Sequence, residues 1–176
     1  MLFEWVMNKR NIILLGFMGS GKSTVGRLVA ARLGRTFVDM DDEIESRAGK
    51  KISHIFAEDG EARFRALEQD LVRELAGKEN LVIAGGGGIV LNPQNMADFE
   101  RTGLSVCLTA DPEELYCRVS GTAHRPLLEG GDKLAKLTAL FEKRKPLYDA
   151  MKNRIDTSRL TAGAVADEVV SLFNCT

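Results

Sequence analysis

Three cysteines and two histidines in 176 residues leave little material for a disulfide framework or a zinc site. Cys107, Cys117 and Cys175 are odd in number and form no CxxC pair, so the expected setting is a reducing cytoplasm. An excess of either charge is also missing. Lys and Arg number 24 against 25 Asp and Glu, a net charge of -1, which argues against the basic surface of a general nucleic-acid binder. Long hydrophobic runs are absent too. The apolar stretch Ile12 to Leu15 meets glycine at once, and the charges of the first ten residues follow their apolar stretch instead of preceding it. Neither a signal peptide nor a spanning helix is expected, and no membrane partner. Residues 1 to 9 read as a leader before the first strand, with Met7 a candidate start. His54 falls in a helix-like segment, Ser53 to Glu58, and His124 in a polar loop; neither is assigned a role.

What is present is the composition of one ordinary globular domain, 44% hydrophobic and 28% charged. Short apolar runs at Asn11 to Leu15, Thr36 to Val38, Leu81 to Ala84 and Leu104 to Thr109 read as strands buried on both faces, with Arg154 to Thr157 a weaker fifth. Between them, Val25, Leu28, Val29 and Leu33 recur at helical spacing up to Gly34, as do Leu67, Leu71, Val72 and Leu75 up to Gly77. Asp111-Pro112 marks a further helix start, and Thr161 a cap for the last helix. Such alternation implies an α/β fold with a parallel sheet. Gly121 to Gly131 has no period and reads as a mobile loop.

Gly16 to Ser23 (GFMGSGKS) has two glycines spaced for a phosphate-binding loop, then Lys22 and Ser23, with a strand before and an amphipathic helix after. Gly19, Ser20 and Gly21 would turn backbone N–H groups toward phosphates, and the helix N-terminus would add partial positive charge. Lys22 would reach the β and γ phosphates, and Ser23 would ligate Mg2+. The Asp-x-x-Gly and Asn-Lys-x-Asp patterns of a switch GTPase do not occur. A small-molecule kinase is favoured.

Asp39 and Asp41 close the second strand run, where alternation would turn both carboxylates to one side of the carboxyl edge. One could serve magnesium and the other an acceptor hydroxyl; equally, the acidic run through Asp42 and Glu43 suits a helix N-terminus. Four glycines, Gly85 to Gly88, follow the third strand and could let a ligand lie against bare backbone. Arg63, Arg65, Arg118, Arg125 and Arg144 could each be a solvated charge. Arg125 differs in lying in the glycine-bounded loop, whose closure would bring it onto a transferring phosphate.

In order and spacing, GSGKST from Gly19, FVDMD from Phe37, Ile55-Phe56, Gly60-Glu61, Phe64-Arg65, Glu68, Gly86 to Gly88, RPLL from Arg125 and PLY from Pro146 resemble the shikimate kinases, from about Arg10 to Phe173. The resemblance implies a three-layer P-loop fold, a five-stranded parallel sheet with helices on both faces, and a single domain over 1-176. A substrate-binding insertion would span about 40-68 and a lid about 119-132. It implies transfer of the γ-phosphate of ATP to the 3-hydroxyl of shikimate, with magnesium, by a cytoplasmic monomer. Asp39 would lie near magnesium and Asp41 would hold the reacting hydroxyl. Arg65 and Arg144 would clamp the shikimate carboxylate, with the Gly86 to Gly88 backbone beside it. Thr24 and Arg118 would face the nucleotide, and Arg125 the phosphates. The chain departs from the family's Asn-Arg-Arg-Asn-Pro-like adenine stretch, reading Ser158 to Ala162 with Leu160 for the second arginine. A gluconate kinase and a catalytically silent nucleotide-binding module are the rivals.

Overall fold

The computed structural model describes residues 10–120 and 132–176. Its strands are β1 (Asn11–Leu15), β2 (Thr36–Asp39), β3 (Leu81–Ala84), β4 (Gly103–Thr109) and β5 (Arg154–Asp156). They form one parallel sheet in the order β2-β3-β1-β4-β5. Ile12 of the central strand pairs with Val82 on one side and Leu104 on the other. The helices are α1 (Lys22–Leu33), α2 (Met40–Ala48), the short α3 (Ile52–His54) running into a π-helical turn (Ile55–Asp59), α4 (Glu61–Ala76), α5 (Pro93–Thr102), α6 (Pro112–Ser120), α7 (Lys133–Asp149) and α8 (Ala162–Asn174). A 3₁₀ turn, Ile89–Leu91, precedes α5. No described helix is long and apolar enough to cross a membrane.

Side-chain alternation along the strands divides the core in two. Ile13, Leu15, Ile83 and Cys107 pack with Met40 of α2, Leu71 of α4, Phe99 of α5 and Phe141 of α7. Ile12, Leu14, Val82, Val106 and Leu108 pack with Val25 and Val29 of α1 and Val165, Val169 and Phe173 of α8. Each such fully buried aliphatic side chain contributes about 1.5–3 kcal/mol relative to exposure. Covered on both faces, β1 and β3 have no polar alternation to show, which is why they read as continuous apolar runs.

The expected strands are present with small shifts: β2 extends to Asp39, β4 begins at Gly103, and β5 ends at Asp156. Thr157 still donates its N–H to Thr109 O at 2.8 Å. Thr161 caps α8 as expected, its side chain accepting from Ala164 N. The Asn11 side chain is buried and fully bonded. Its Nδ2 donates to Leu75 O and Lys78 O, and its Oδ1 accepts from Leu81 N, tying the end of α4 to the starts of β1 and β3. The expected loop at 121–131, with His124 and Arg125, lies outside the described residues, as does the 1–9 leader.

Candidate active site

The loop between β1 and α1 is shaped by glycine. Gly16 has φ 137°, and a Cβ there would stand 2.2 Å from Leu108 O, so the turn off the central strand admits no side chain. Gly21, at φ 94°, starts α1 without a side-chain cap, whereas Asp39, Asn92, Asp132 and Thr161 cap α2, α5, α7 and α8. Helix α1 thus starts without a side-chain cap, the arrangement that suits an anion at its N-terminus. Lys22 Nζ donates to Gly16 O and Phe17 O at 2.9 and 3.0 Å and lies across the loop. Ser20 is buried and enters through its backbone, donating its N–H to Phe17 O.

Asp39 serves two partners at once. Its Oδ1 accepts from Asp41 N at 3.1 Å and caps α2, while its Oδ2 accepts from Ser23 Oγ at 2.5 Å. Asp39 thus caps a helix and lines the cleft at once. The strand-alternation argument for Asp41 does not hold. The strand ends at Asp39, and Asp41 reaches the cleft from the first turn of α2.

The acceptor side is drawn from α4, α7 and the glycines after β3. Along α4, Phe64, Glu68, Leu71, Val72 and Leu75 form the buried stripe, with Glu68 its one charged member. Arg65 Nη1 donates to Glu68 Oε2 at 2.9 Å, and Nη2 donates to Glu61 Oε1 at 3.1 Å. Gly86 sits between two carboxylates: a Cβ there would lie 3.0 Å from both Asp41 Oδ1 and Glu68 Oε1. Burial pushes the Glu68 carboxyl above its ordinary value, opposed by Arg65 and reinforced by Asp41. Arg144, buried within α7, donates to Gly87 O at 3.2 Å, and Tyr148 OH donates to the same carbonyl at 2.6 Å. Burial also raises the Tyr148 hydroxyl to about 12, keeping it a donor.

Residues from both sides line one cleft of about 660 Å³. Gly19, Gly21, Lys22, Ser23, Thr24 and Arg118 line its phosphate-loop side. Asp39 and Asp41 stand between, and Arg65, Gly86, Gly87, Gly88 and Arg144 line the other side. Arg118 donates to Thr157 Oγ1 and Thr157 O at 3.0 Å each and to Gly19 O at 3.4 Å, joining the phosphate loop to the segment after β5. Leu160, in the departed stretch, is exposed.

A family model for shikimate kinase matches residues 18–174. The shikimate kinase of Pelotomaculum thermopropionicum is 47% identical over 161 residues, covering 92% of this chain and 94% of that one. The chain belongs to the shikimate kinase family. Its activity is that of an ATP-dependent kinase. Another family member, the shikimate kinase from Acinetobacter baumannii solved in complex with shikimate, is 36% identical and superposes with a TM-score of 0.90 over 96% of this chain and 94% of that one. A gluconokinase from Sinorhizobium meliloti, 17% identical with a TM-score of 0.61 over 95% of each chain, shares the fold alone.

Against this shikimate kinase frame, three residues stand in or beside the site that the sequence left without a role: Glu61, Glu68 and Tyr148. Glu68 carried a readable signal, a carboxylate in an otherwise apolar helical stripe three residues from an arginine. Glu61 carried the i,i+4 spacing to Arg65 but at an exposed position, where such a pair is ordinary, and Tyr148 carried no signal, since its partner Gly87 O lies on another element.

Proposed function

We propose that this chain transfers the γ-phosphate of ATP to the 3-hydroxyl of shikimate, giving shikimate 3-phosphate and ADP. The observation that carries the reading is the glycine floor at Gly86 to Gly88. Asp41, Arg65 and Arg144 stand around it in the same cleft as Lys22 and Ser23. Shikimate presents one carboxylate and three hydroxyls, and planar guanidinium forks with a nearby aspartate match that set. Arg65 and Arg144 would bind the carboxylate, and Asp41 would orient the reacting hydroxyl and accept its proton. The bare backbone of Gly86, Gly87 and Gly88 would let the ring lie close.

On the nucleotide side, Gly19 to Thr24 would wrap the phosphates with backbone N–H groups, and the Lys22 amine would offset charge on the β and γ phosphates. Arg118 would face the adenine end, and Arg125 would reach the transferred phosphate. Mg2+ fits the donors present. Ser23 Oγ and Asp39 Oδ2 are hard oxygens meeting at the mouth of the phosphate loop, and among the described residues no larger acidic cluster competes. The cation would neutralise phosphate charge when bound, and the role of Ser23 and Asp39 would be to hold it there. Residues 40-68 would form the acceptor-side insertion and 119-132 the lid. The described lining residues of the cleft all come from one chain, in keeping with a monomer. The unpaired thiols of Cys107, Cys117 and Cys175 suit a reducing cytoplasm.

An ADP-release assay with ATP, magnesium and a panel of shikimate, gluconate and nucleoside monophosphates tests this. Turnover with shikimate alone is expected. Turnover with another acceptor and none with shikimate would leave the phosphate chemistry standing and remove the roles given to Asp41, Arg65 and Arg144.

A further inference from the structure

Arg65 does not present an open fork to the cleft. Of its five N–H groups, Nε and Nη2 donate to the same oxygen, Glu61 Oε1, at 3.3 and 3.1 Å, and Nη1 donates to Glu68 Oε2 at 2.9 Å. The Nη1 and Nη2 end lies against Gly88, where a Cβ would stand 2.4 and 2.7 Å from the two nitrogens. The Phe64 ring centre lies 5.1 Å from Cζ. A ligand carboxylate seeking two parallel bonds meets an edge already taken.

The two resident carboxylates are held very differently. The Glu68 side chain is 2% exposed and lies in the buried stripe of α4, so removing it from Arg65 would strand charge in the interior. The Glu61 side chain is 57% exposed, on the first residue of α4, and gains little from its ion pair. Only Glu61 can leave cheaply.

We propose that Glu61 is a built-in stand-in for the ligand's carboxylate: it occupies the Nε and Nη2 edge of Arg65 and yields it when the acceptor binds. The inference rests on shikimate, or another monocarboxylate, as the acceptor. Binding then exchanges one carboxylate for another on the same guanidinium, and Glu61 tunes acceptor affinity without touching the nucleotide.

Calorimetric titration of the full chain with shikimate, and separately with ADP, tests this on wild type, Glu61→Gln and Glu61→Asp, with thermal melts as a check on folding. Glu61→Gln is expected to tighten shikimate binding about two- to fivefold, the span of an exposed ion pair. Glu61→Asp keeps the charge but is one methylene short of Arg65, and it is expected to follow Gln; ADP affinity stays put in both. If Asp instead follows wild type, the effect is general charge and the displacement idea falls. It falls equally if Gln binds shikimate no better than wild type. A wild type that binds ADP but not shikimate overturns the functional reading as well, so the two failures are distinguishable.

Discussion

The two halves of the cleft are built by different means. Apart from Arg118, the phosphate side is one contiguous segment, Gly16 to Thr24, most of whose contacts end on backbone: Lys22 on Gly16 O and Phe17 O, Ser20 N on Phe17 O, and an uncapped helix start. The acceptor side is a set of charged side chains from α2, α4 and α7, gathered over glycines and holding one another through Arg65, Glu68, Asp41 and Arg144. The first half is specified locally and recognises a group common to every nucleotide. The second depends on the whole fold, and under the proposed function it is where selectivity among acceptors would reside.

Substitutions on the two sides should separate cleanly. Lys22→Ala is expected to have the largest effect, a fall in kcat of about 10²–10³-fold, the scale of one lost charge-stabilising donor. Its circular dichroism should remain that of the wild type; retained turnover would remove Lys22 from the chemistry. Arg65→Lys comes next. It preserves charge but not the fork, and should raise KM for shikimate about tenfold while KM for ATP changes little. Equal rises in both constants would show that the halves are not independent. Glu68→Gln gives the smallest effect and is read in stability. Burial holds the Glu68 carboxyl above its ordinary 4.5, so the folded state binds that proton more tightly than the unfolded chain. The resulting stability is whole below pH 4.5 and declines as pH rises through the folded value. Melting curves should therefore show wild type losing a few degrees relative to Glu68→Gln between pH 4 and neutrality; a constant difference would mean the carboxyl binds its proton equally well in the folded and unfolded chains.

The same division explains what could be read from the chain. The phosphate loop was legible because its residues are adjacent and its glycines are fixed by sterics. Strands β1, β3 and β4 were legible because burial on both faces leaves largely apolar runs, whereas β2, expected to be buried in the same way, is a half-exposed edge strand found from its short apolar run alone. On the acceptor side, the glycine run through Gly86 to Gly88 stood out locally after its strand, but Arg65 and Arg144 emerged only through family resemblance, since nothing local says that an arginine on α4 shares a cleft with one on α7. Helix α7 went unread because its inward stripe, Leu137, Phe141, Arg144 and Tyr148, includes the buried arginine, and because Pro146 suggests a break where the helix runs on to Asp149. Asp41 was placed in the cleft by the wrong route, since Asp39 is where strand geometry ends and capping begins. The segment between α2 and α4, with a π-helical turn between His54 and Gly60, has no pattern that periodicity detects.

Asn11 gives this arrangement a mechanical character. By clamping Leu75 and Lys78 at one end of α4 to Leu81 at the start of β3, it fixes the fulcrum of a rod whose other end carries Arg65 and Glu61. From Leu75 to Arg65 the lever arm is about 15 Å at the helical rise per residue, so a tilt of about 5° at the pivot swings the guanidinium by roughly 1.3 Å. Any tilt of α4 about that pivot would therefore move Arg65 relative to the phosphate loop, which hangs from the opposite end of β1.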